Sequence, residues 1–439
     1  MQTAAPIDYR SLVDARAGTV DRRIFSDAEI YRAEMERIFA RCWNFMCHES
    51  QIPQAGDFFL NFIGEDSVIA VRDRKGGIGV FLNSCRHRGN AVCRAESGRV
   101  KSFLCTYHGW TYDLEGKLVG VPGYKGFYHE ALERDKWGLI AARVESYKGF
   151  VFATMDPEAP PLDEYLGEVG RVGLSMAAAH GDVAVVDGVQ KNVLGCNWKL
   201  AVDNLFDWYH VQISHASAPM SGYLPKLPYK DEDQIVSLGE YGHAISGPRS
   251  TPEMRAAAAA ASSEVPLFDE RWRDTPEALA ALGPVGVASR GHPNIFPNLW
   301  IASSGVQLCL RLPRGPFATE IWWFTLLDRN MSPERRRASV QRMNHTFGPA
   351  GMLEQDDGEN WSQSTLATRS PVARRHPLNY SMNLGRGHIA ETHQPGLPSI
   401  ETHVNEHAQL WTYRAWADWM TAENWPALKR DHALPAGVV

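Results

Sequence analysis

The sequence predicts an α+β chain in two domains, a small all-β domain over residues 40–155 and a larger α+β domain over 156–439, with a leader at 1–39. Three observations carry this expectation. Short, alternating apolar runs crowd the stretch after Trp43, as half-buried strands do. Pro157, Pro160 and Pro161 then interrupt the chain. Beyond them, strand-like runs alternate with longer helical ones, and no segment repeats.

The elements follow in order. In the leader, Ser26 can cap a helix whose stripe is Ile30, Tyr31, Met35 and Ile38. Phe58–Leu60, Ser67–Val71, Gly79–Leu82 and Gly149–Ala153 read as strands, with a Gly-rich break at Lys75-Gly76-Gly77. In the second part, Val183–Val189, Gln307–Leu312 and Glu320–Leu327 read as strands. The Ala tract Arg255–Ser263 reads as a surface insertion or mobile flap. Ser332-Pro333-Glu334 starts a helix that turns Val340, Met343 and Phe347 inward and stops at Gly348-Pro349. A last helix, over about 405–422, is rich in Trp.

Composition narrows the class. At 439 residues, 44% apolar and 22% charged, the chain suits a soluble globular protein with a large core. A formal net charge of −6 argues against nucleic-acid binding, and the basic run Arg335-Arg336-Arg337 reads as a solvated helix face. There is no secretory segment near Met1 and no apolar run of 18, so a cytoplasmic protein with no membrane span is expected. Seven Cys, an odd and sparse count, argue against a disulfide framework. Cys42, Cys47, Cys93, Cys196 and Cys309 read as buried free thiols.

The other two cysteines belong to strings that fit one another. Cys85-Arg86-His87-Arg88-Gly89 is followed by Cys105-Thr106-Tyr107-His108-Gly109-Trp110, with 17 residues between His87 and Cys105. Two thiolates and two imidazoles suit a zinc ion, or a [2Fe–2S] cluster with His₂ on one iron and Cys₂ on the other. Zinc ligands usually come in like pairs. Here Cys and His alternate, so each loop offers a thiolate to one iron and an imidazole to the other. The spacing reads as an iron–sulfur site. A colourless zinc-binding structural protein is the alternative.

A second site begins at Asn197-Trp198-Lys199-Leu200, which opens a helical stretch running through Asp203, Asn204, Asp207 and His210 toward His215. Asp207 and His210 would share one helix face. His215 would diverge from His210, so the helix must distort or end near Ile213-Ser214 for the imidazoles to meet. A carboxylate would complete a 2-His-1-carboxylate face, which leaves positions open for O₂ on Fe(II). Composition leaves Glu354, Asp356, Asp357 and Glu359 open as that acid.

With both strings on the page, the chain resembles the α (large, catalytic) subunit of Rieske-type aromatic-ring-hydroxylating dioxygenases, in the naphthalene, biphenyl and phenylpropionate branch. The likeness runs from about Ile24 to the C-terminal helix. It rests on the cluster strings, Asn-Trp-Lys, Asp-x-x-His-x₄-His, and Phe-Gly-Pro-Ala-Gly followed by Asp-Asp. It implies a Rieske [2Fe–2S] domain and a mononuclear-iron domain, the latter an antiparallel sheet covered by helices with the leader packed on it. It implies Cys85 and Cys105 on one cluster iron and His87 and His108 on the other. It places His210, His215 and Asp357, the second acid of the pair, on the catalytic iron. Asp207 would link a cluster-binding His of one subunit to an iron-binding His of its neighbour, fixing both tautomers. Asn204, three before Asp207, would lie near that iron, and Asp203 stands where members usually carry Glu.

The implied function is the terminal oxygenase of a multicomponent system. It would cis-dihydroxylate an aromatic substrate with O₂ and electrons from NADH through a reductase and ferredoxin. A Rieske monooxygenase or demethylase is the alternative in the same class. A pure Rieske electron-transfer protein is the alternative outside it, against which the second site weighs. Phe206, Trp208, Val211, Asn298, Phe347 and Leu353 are the expected pocket walls, with Trp208 shortening the pocket toward a monocyclic substrate. Cluster and iron of one chain are expected to lie too far apart for fast electron transfer. A ring of three chains is the smallest closed head-to-tail solution, an α₃ or, with a small β subunit, an α₃β₃ assembly.

Overall fold

Apolar alternation after Trp43 produces paired strands. The structure, a computed structural model, describes residues 7–223, 232–261, 270–302, 306–390, 394 and 396–439. The chain divides into residues 39–162 and, together, 1–38 with 163–439.

In residues 39–162, Asp57–Ile63 pairs antiparallel with Asp66–Arg72 and with Ser97–Arg99, and Ile78–Leu82 completes a four-stranded sheet. The turn at Asp73 closes because its carboxylate accepts from the N–H of Lys75 and Gly77, while Gly76 takes φ +90°. Asn44–His48, Phe150–Thr154 and Arg143–Tyr147 form a second sheet. Phe103–Leu104, Thr111–Tyr112 and Leu118–Gly120 form a third. Phe58, Ile69, Val71, Phe81, Trp110 and Tyr112 share their core with Cys85 and Cys105. The proline stretch stays with this unit: Trp43 Nε1 donates to Pro160 O, and Arg143 donates to Ala159 O. The unit therefore runs to Leu162, past the boundary expected at 155.

The larger unit is built on a ten-stranded antiparallel sheet. Its order is Val183–Val185, Thr319–Asp328, Gln307–Pro313, Leu299–Ile301, His292–Ile295, Ala244–Pro248, Gln234–Leu238, Ser399–Thr402 and Ile389–Ala390, with Gln190–Leu194 also on Thr319–Asp328. Of the run expected as a strand over 183–189 only Val183–Val185 is one; the chain then turns at Gly188, with φ +93°, into the next strand Gln190–Leu194. On one face, Cys309 stands opposite both Trp300 and Trp323, and Phe347 stacks on Trp323 at 4.8 Å and 8°. The helix Met352–Thr368 packs with Trp198–Asp203, which in turn meets Gln307–Pro313.

The helix caps follow local chemistry. The leader helix Ala28–Glu34 is capped by Asp27, whose carboxylate accepts from Glu29 and Ile30 N–H. Ser26, the expected cap, instead donates to Thr368 O at 3.2 Å. A carboxylate answers the positive helix end better than a hydroxyl does. Ser332 caps Pro333–Thr346 as expected. The Ala tract is a helix, Pro252–Ala261, anchored by Arg255, which is 5% exposed, pairs with Asp274 and donates to Ser250 O. It is not a flap at that end; residues 262–263 lie outside the described residues.

One carboxylate ties three distant segments. Glu34, 0% exposed, accepts from Lys199 Nζ at 2.6 Å, Trp416 Nε1 at 2.7 Å and Trp198 Nε1 at 2.9 Å. Leader, Asn-Trp-Lys helix and C-terminal helix His407–Thr421 meet there. Burial lowers the Lys199 pKa, with Glu34 opposing. All seven cysteines are free and buried. Among the described residues no helix is long and apolar enough to cross a membrane.

Candidate metal centres and substrate cavity

Two loops of the small unit repeat one hydrogen-bond pattern. Gly89 N donates to Cys85 O at 2.8 Å and Cys85 N to Asn90 O at 2.9 Å; Gly109 N donates to Cys105 O at 2.9 Å and Cys105 N to Trp110 O at 2.8 Å. Both turns need a left-handed residue, and Gly89 and Gly109 supply it at φ +74° and +73°. At Gly109 a side chain would also strike Pro122 Cγ at 2.8 Å.

The turns bring four donors together. His87 Nδ1 and His108 Nδ1 stand 3.1 Å apart, and His87 stacks on Trp110 at 5.0 Å and 10°. Cys85 Sγ lies 3.3 Å from Tyr112 Oη, and Cys105 Sγ accepts from Asn90 Nδ2 at 3.6 Å. Burial pushes the Cys105 thiol up, but the N–H groups of Tyr107 and His108, with Asn90 and Cys85, hold it below its usual value. Cis ligands about 2.1 Å from one metal stand about 3.0–3.4 Å apart. The imidazole pair fits that spacing.

The second site forms where a helix breaks. Asn197 caps Trp198–Asp203, a 3₁₀ turn follows at Asn204–Phe206, and Asp207 is extended at φ −85° and ψ 100°. A short helix, Val211–Ser214, then leads to His215. The main break is therefore at Asp207, earlier than the expected one near Ile213-Ser214. Asp207 Oδ1 causes it by accepting from Tyr209 N at 2.8 Å and His210 N at 3.2 Å, in competition with the helix. Asp207 and His210 thus meet through a turn rather than along a helix face, with Asp207 Oδ2 3.3 Å from His210 Nδ1.

Beyond the break, His210 Nε2 and His215 Nε2 come within 3.3 Å. Asp357 Oδ1 lies 3.2 Å from the first and 3.5 Å from the second. All three donor atoms fall within 4.8 Å of one another. The other acids go elsewhere. Glu354 is buried, and burial pushes its carboxyl up to about 7. Asp356 accepts from Ser217 Oγ at 2.8 Å and reaches only His215 Nδ1, at 3.5 Å. Glu359 is exposed and accepts from Gln363.

The donor set fits a divalent iron. Asp357 Oδ1 is buried and makes no hydrogen bond of good geometry among the described residues. Burial alone would lower His210, yet Asp207 and Asp357 lift it to about 10, so the two carboxylates favour positive charge between them. His215 is held below its usual value by burial. Two of the three spacings, 3.2 and 3.3 Å, match cis ligands on one metal, and the third, 3.5 Å, is slightly wider.

A cavity of about 190 Å³ opens against Asp357, His210 and His215. Of the expected walls, Trp208, Val211, Phe347 and Leu353 line it, as does Asn204. Phe206 and Asn298 do not: the 3₁₀ turn sends Phe206 into the core, and Asn298 Nδ2 is held by Arg311 O at 2.9 Å. Trp208 donates to Ser246 O at 3.0 Å and stacks on His292 at 4.9 Å and 19°. His292, Trp300, Gln307, Met343, Glu270 and Arg290 also line it and carry no local motif. A second cleft, of about 510 Å³, runs past Asp203, Asp207, His210, Asn360 and Tyr380. Asp203 accepts from Tyr380 Oη at 2.7 Å and from Tyr413 Oη, yet burial pushes its carboxyl up to about 7.

Comparison with known proteins agrees with this geometry. The model of the ring hydroxylating alpha subunit (catalytic domain) matches residues 174–422, and that of the Rieske [2Fe-2S] domain matches 42–146. The chain is 38% identical to the biphenyl 2,3-dioxygenase subunit alpha of Rhodococcus jostii (strain RHA1), over 98% of this chain and 95% of the relative. It is 34% identical to a benzene 1,2-dioxygenase subunit alpha of Pseudomonas putida, over 96% and 95%. A structure of naphthalene 1,2-dioxygenase with indole in its active site superposes with a TM-score of 0.85 at 28% identity, covering 97% of each chain. A chain with these two domains has one [2Fe–2S] Rieske cluster and one mononuclear iron, and it belongs to the ring-hydroxylating dioxygenase α-subunit family, the terminal, Rieske non-heme iron oxygenases that act on aromatic rings.

Proposed function

We propose that this oxygenase adds both atoms of O₂ to adjacent carbons of a monocyclic aromatic ring, giving a cis-diol. One NADH and one proton, acting through a reductase and ferredoxin, balance the reaction with two electrons and two protons. The observation that carries this reading is the convergence of His210, His215 and Asp357 on the wall of a mostly apolar cavity. A cavity of 150 Å³ suffices for benzene, so about 190 Å³ suits one ring with a small substituent. Trp208, held by Ser246 O and stacked on His292, fills part of the wall with a bulky side chain.

His210, His215 and Asp357 would hold the iron, and Cys85, His87, Cys105 and His108 the cluster. Bound iron supplies the O₂ chemistry and the cluster supplies electrons singly. The side chains seat the ring, exclude water and hold protons. Asp207 keeps a proton on His210 Nδ1, which leaves Nε2 free for the metal. Asn204 lies beside the same cavity. Asp207 borders the second cleft as well, with its side chain 34% exposed, which supports a role in reaching a cluster histidine of a neighbouring subunit. That link implies an α₃ ring, or α₃β₃ with a small β subunit, working in the cytoplasm where NADH is available.

Turnover under ¹⁸O₂ with a panel of benzene, toluene and biphenyl tests the proposal. The expected product is a diol carrying label on both oxygens, formed faster from the single rings. A single labelled oxygen points instead to monooxygenation.

A further inference from the structure

Among the polar side chains that line the cavity, one amide has both of its ends unpaired. Gln307 is 1% exposed and lines the cavity, and neither its Nε2 nor its Oε1 has a hydrogen-bond partner among the described residues. A buried amide left unpaired is costly. Strand register accounts for its placement. Gln307 lies two residues before Cys309, on the sheet face that carries Trp300 and Trp323 toward the site. Its own carbonyl accepts from Ala302 N at 3.0 Å, and Ala302 is the small neighbour in the same wall.

Glu270 and Arg290 of the cavity wall form an ion pair. Arg290 Nε lies 2.9 Å from Glu270 Oε2, and Glu270 also faces Arg273 Nε at 3.7 Å. A carboxylate on the substrate would meet Glu270, and a cation would meet the arginines. An alkyl group would leave both ends of the Gln307 amide unpaired.

We propose that Gln307 determines specificity, and that the ring accepted here carries a neutral substituent able both to donate and to accept hydrogen bonds, such as a phenolic hydroxyl or a carboxamide. The proposal rests on the reading of this cavity as the substrate site.

Phenol and toluene are near-isosteric probes. A wholly apolar site favours toluene, because the phenol hydroxyl loses its water. Dissociation constants are measured by calorimetry on the anaerobic, metal-loaded oxygenase. The expected result is that the wild type favours phenol. Gln307→Leu and the equally long Gln307→Met should each move the ratio tenfold or more toward toluene, with toluene affinity kept or raised. A wild type that binds toluene tenfold tighter, or neither ligand, overturns the proposal whatever the variants do. So does a ratio that neither variant changes. Oxygenation is scored separately. The expected selectivity without diol formation from any bound ring overturns the function above and leaves Gln307 its role. Diol formation from toluene with a ratio independent of Gln307 does the reverse.

Discussion

Asp356 and Asp357 are adjacent on one helix, so their side chains point about 100° apart. Asp357 therefore reaches both Nε2 atoms, while Asp356 sits behind His215 against Ser217. Asp357→Ala should remove the mononuclear iron and all oxygenation while the Rieske absorption persists. Iron to acid-labile sulfide should fall from about 3:2 to about 2:2. Asp356→Ala should keep its iron and lose activity only in part; the reverse pattern would show that Asp356 is the ligand. Asp203 offers a second test. Its carboxyl is raised to about 7 by burial, against about 3.9 in an unfolded chain. The folded protein thus holds a proton that the unfolded chain has released. The stability this contributes is complete below about pH 4 and is lost as pH rises through about 7. Asp203→Asn, which keeps an acceptor for both tyrosines, should flatten the fall in melting temperature between those limits.

Among the elements, the helix carrying Asn-Trp-Lys is the one most dependent on distant residues. Its Lys199, 3% exposed at the side chain, is neutralised by Glu34 from the leader. Removing one partner of a buried pair strands the other charge. Glu34→Ala should therefore cost about 3–5 kcal/mol, whereas Glu34→Ala combined with Lys199→Met should recover much of that loss. Denaturant unfolding of both variants gives the comparison, and equal losses would remove the charge from the explanation. The same helix shows why periodicity misled at Asp207. The spacing of Asp207 and His210 fits a helix face, yet the Asp207 carboxylate takes the N–H groups that the helix needs. At the leader, two adjacent residues were both able to cap, and the charged one took the site.

At the scale of the whole molecule, the proposed electron path crosses between chains. Asp207 holds His210 Nδ1 at 3.3 Å, and the imidazole and neighbouring N–H groups keep its carboxyl below the usual value against the opposing effect of burial. Asp207→Asn keeps the volume and loses the charge. It should leave iron and cluster content, and the sedimentation of the assembly, unchanged. Turnover should fall by 100-fold or more, about the upper range for losing a metal-site support, with the cluster still reducible by dithionite. Near-wild-type turnover would refute the bridging role, and an active monomer would refute the inter-subunit route.

The sequence by itself determined the two-domain plan, the paired Cys-His strings and the presence of a His-rich segment, because each is local. Strand alternation, left-handed Gly after each Cys-His string and capping residues all act within a few positions. Tertiary structure decided what depends on contacts between distant segments. Of the four candidate acids it brings Asp357 within 3.2 and 3.5 Å of the two imidazoles, a meeting that depends on how the helix Met352–Thr368 packs. It replaced Phe206 and Asn298 in the cavity wall with His292, Trp300 and Gln307, which reach it from strands over 80 residues away from Trp208. Their place is set by sheet register, and a register is a relation between strands that no single stretch of sequence carries.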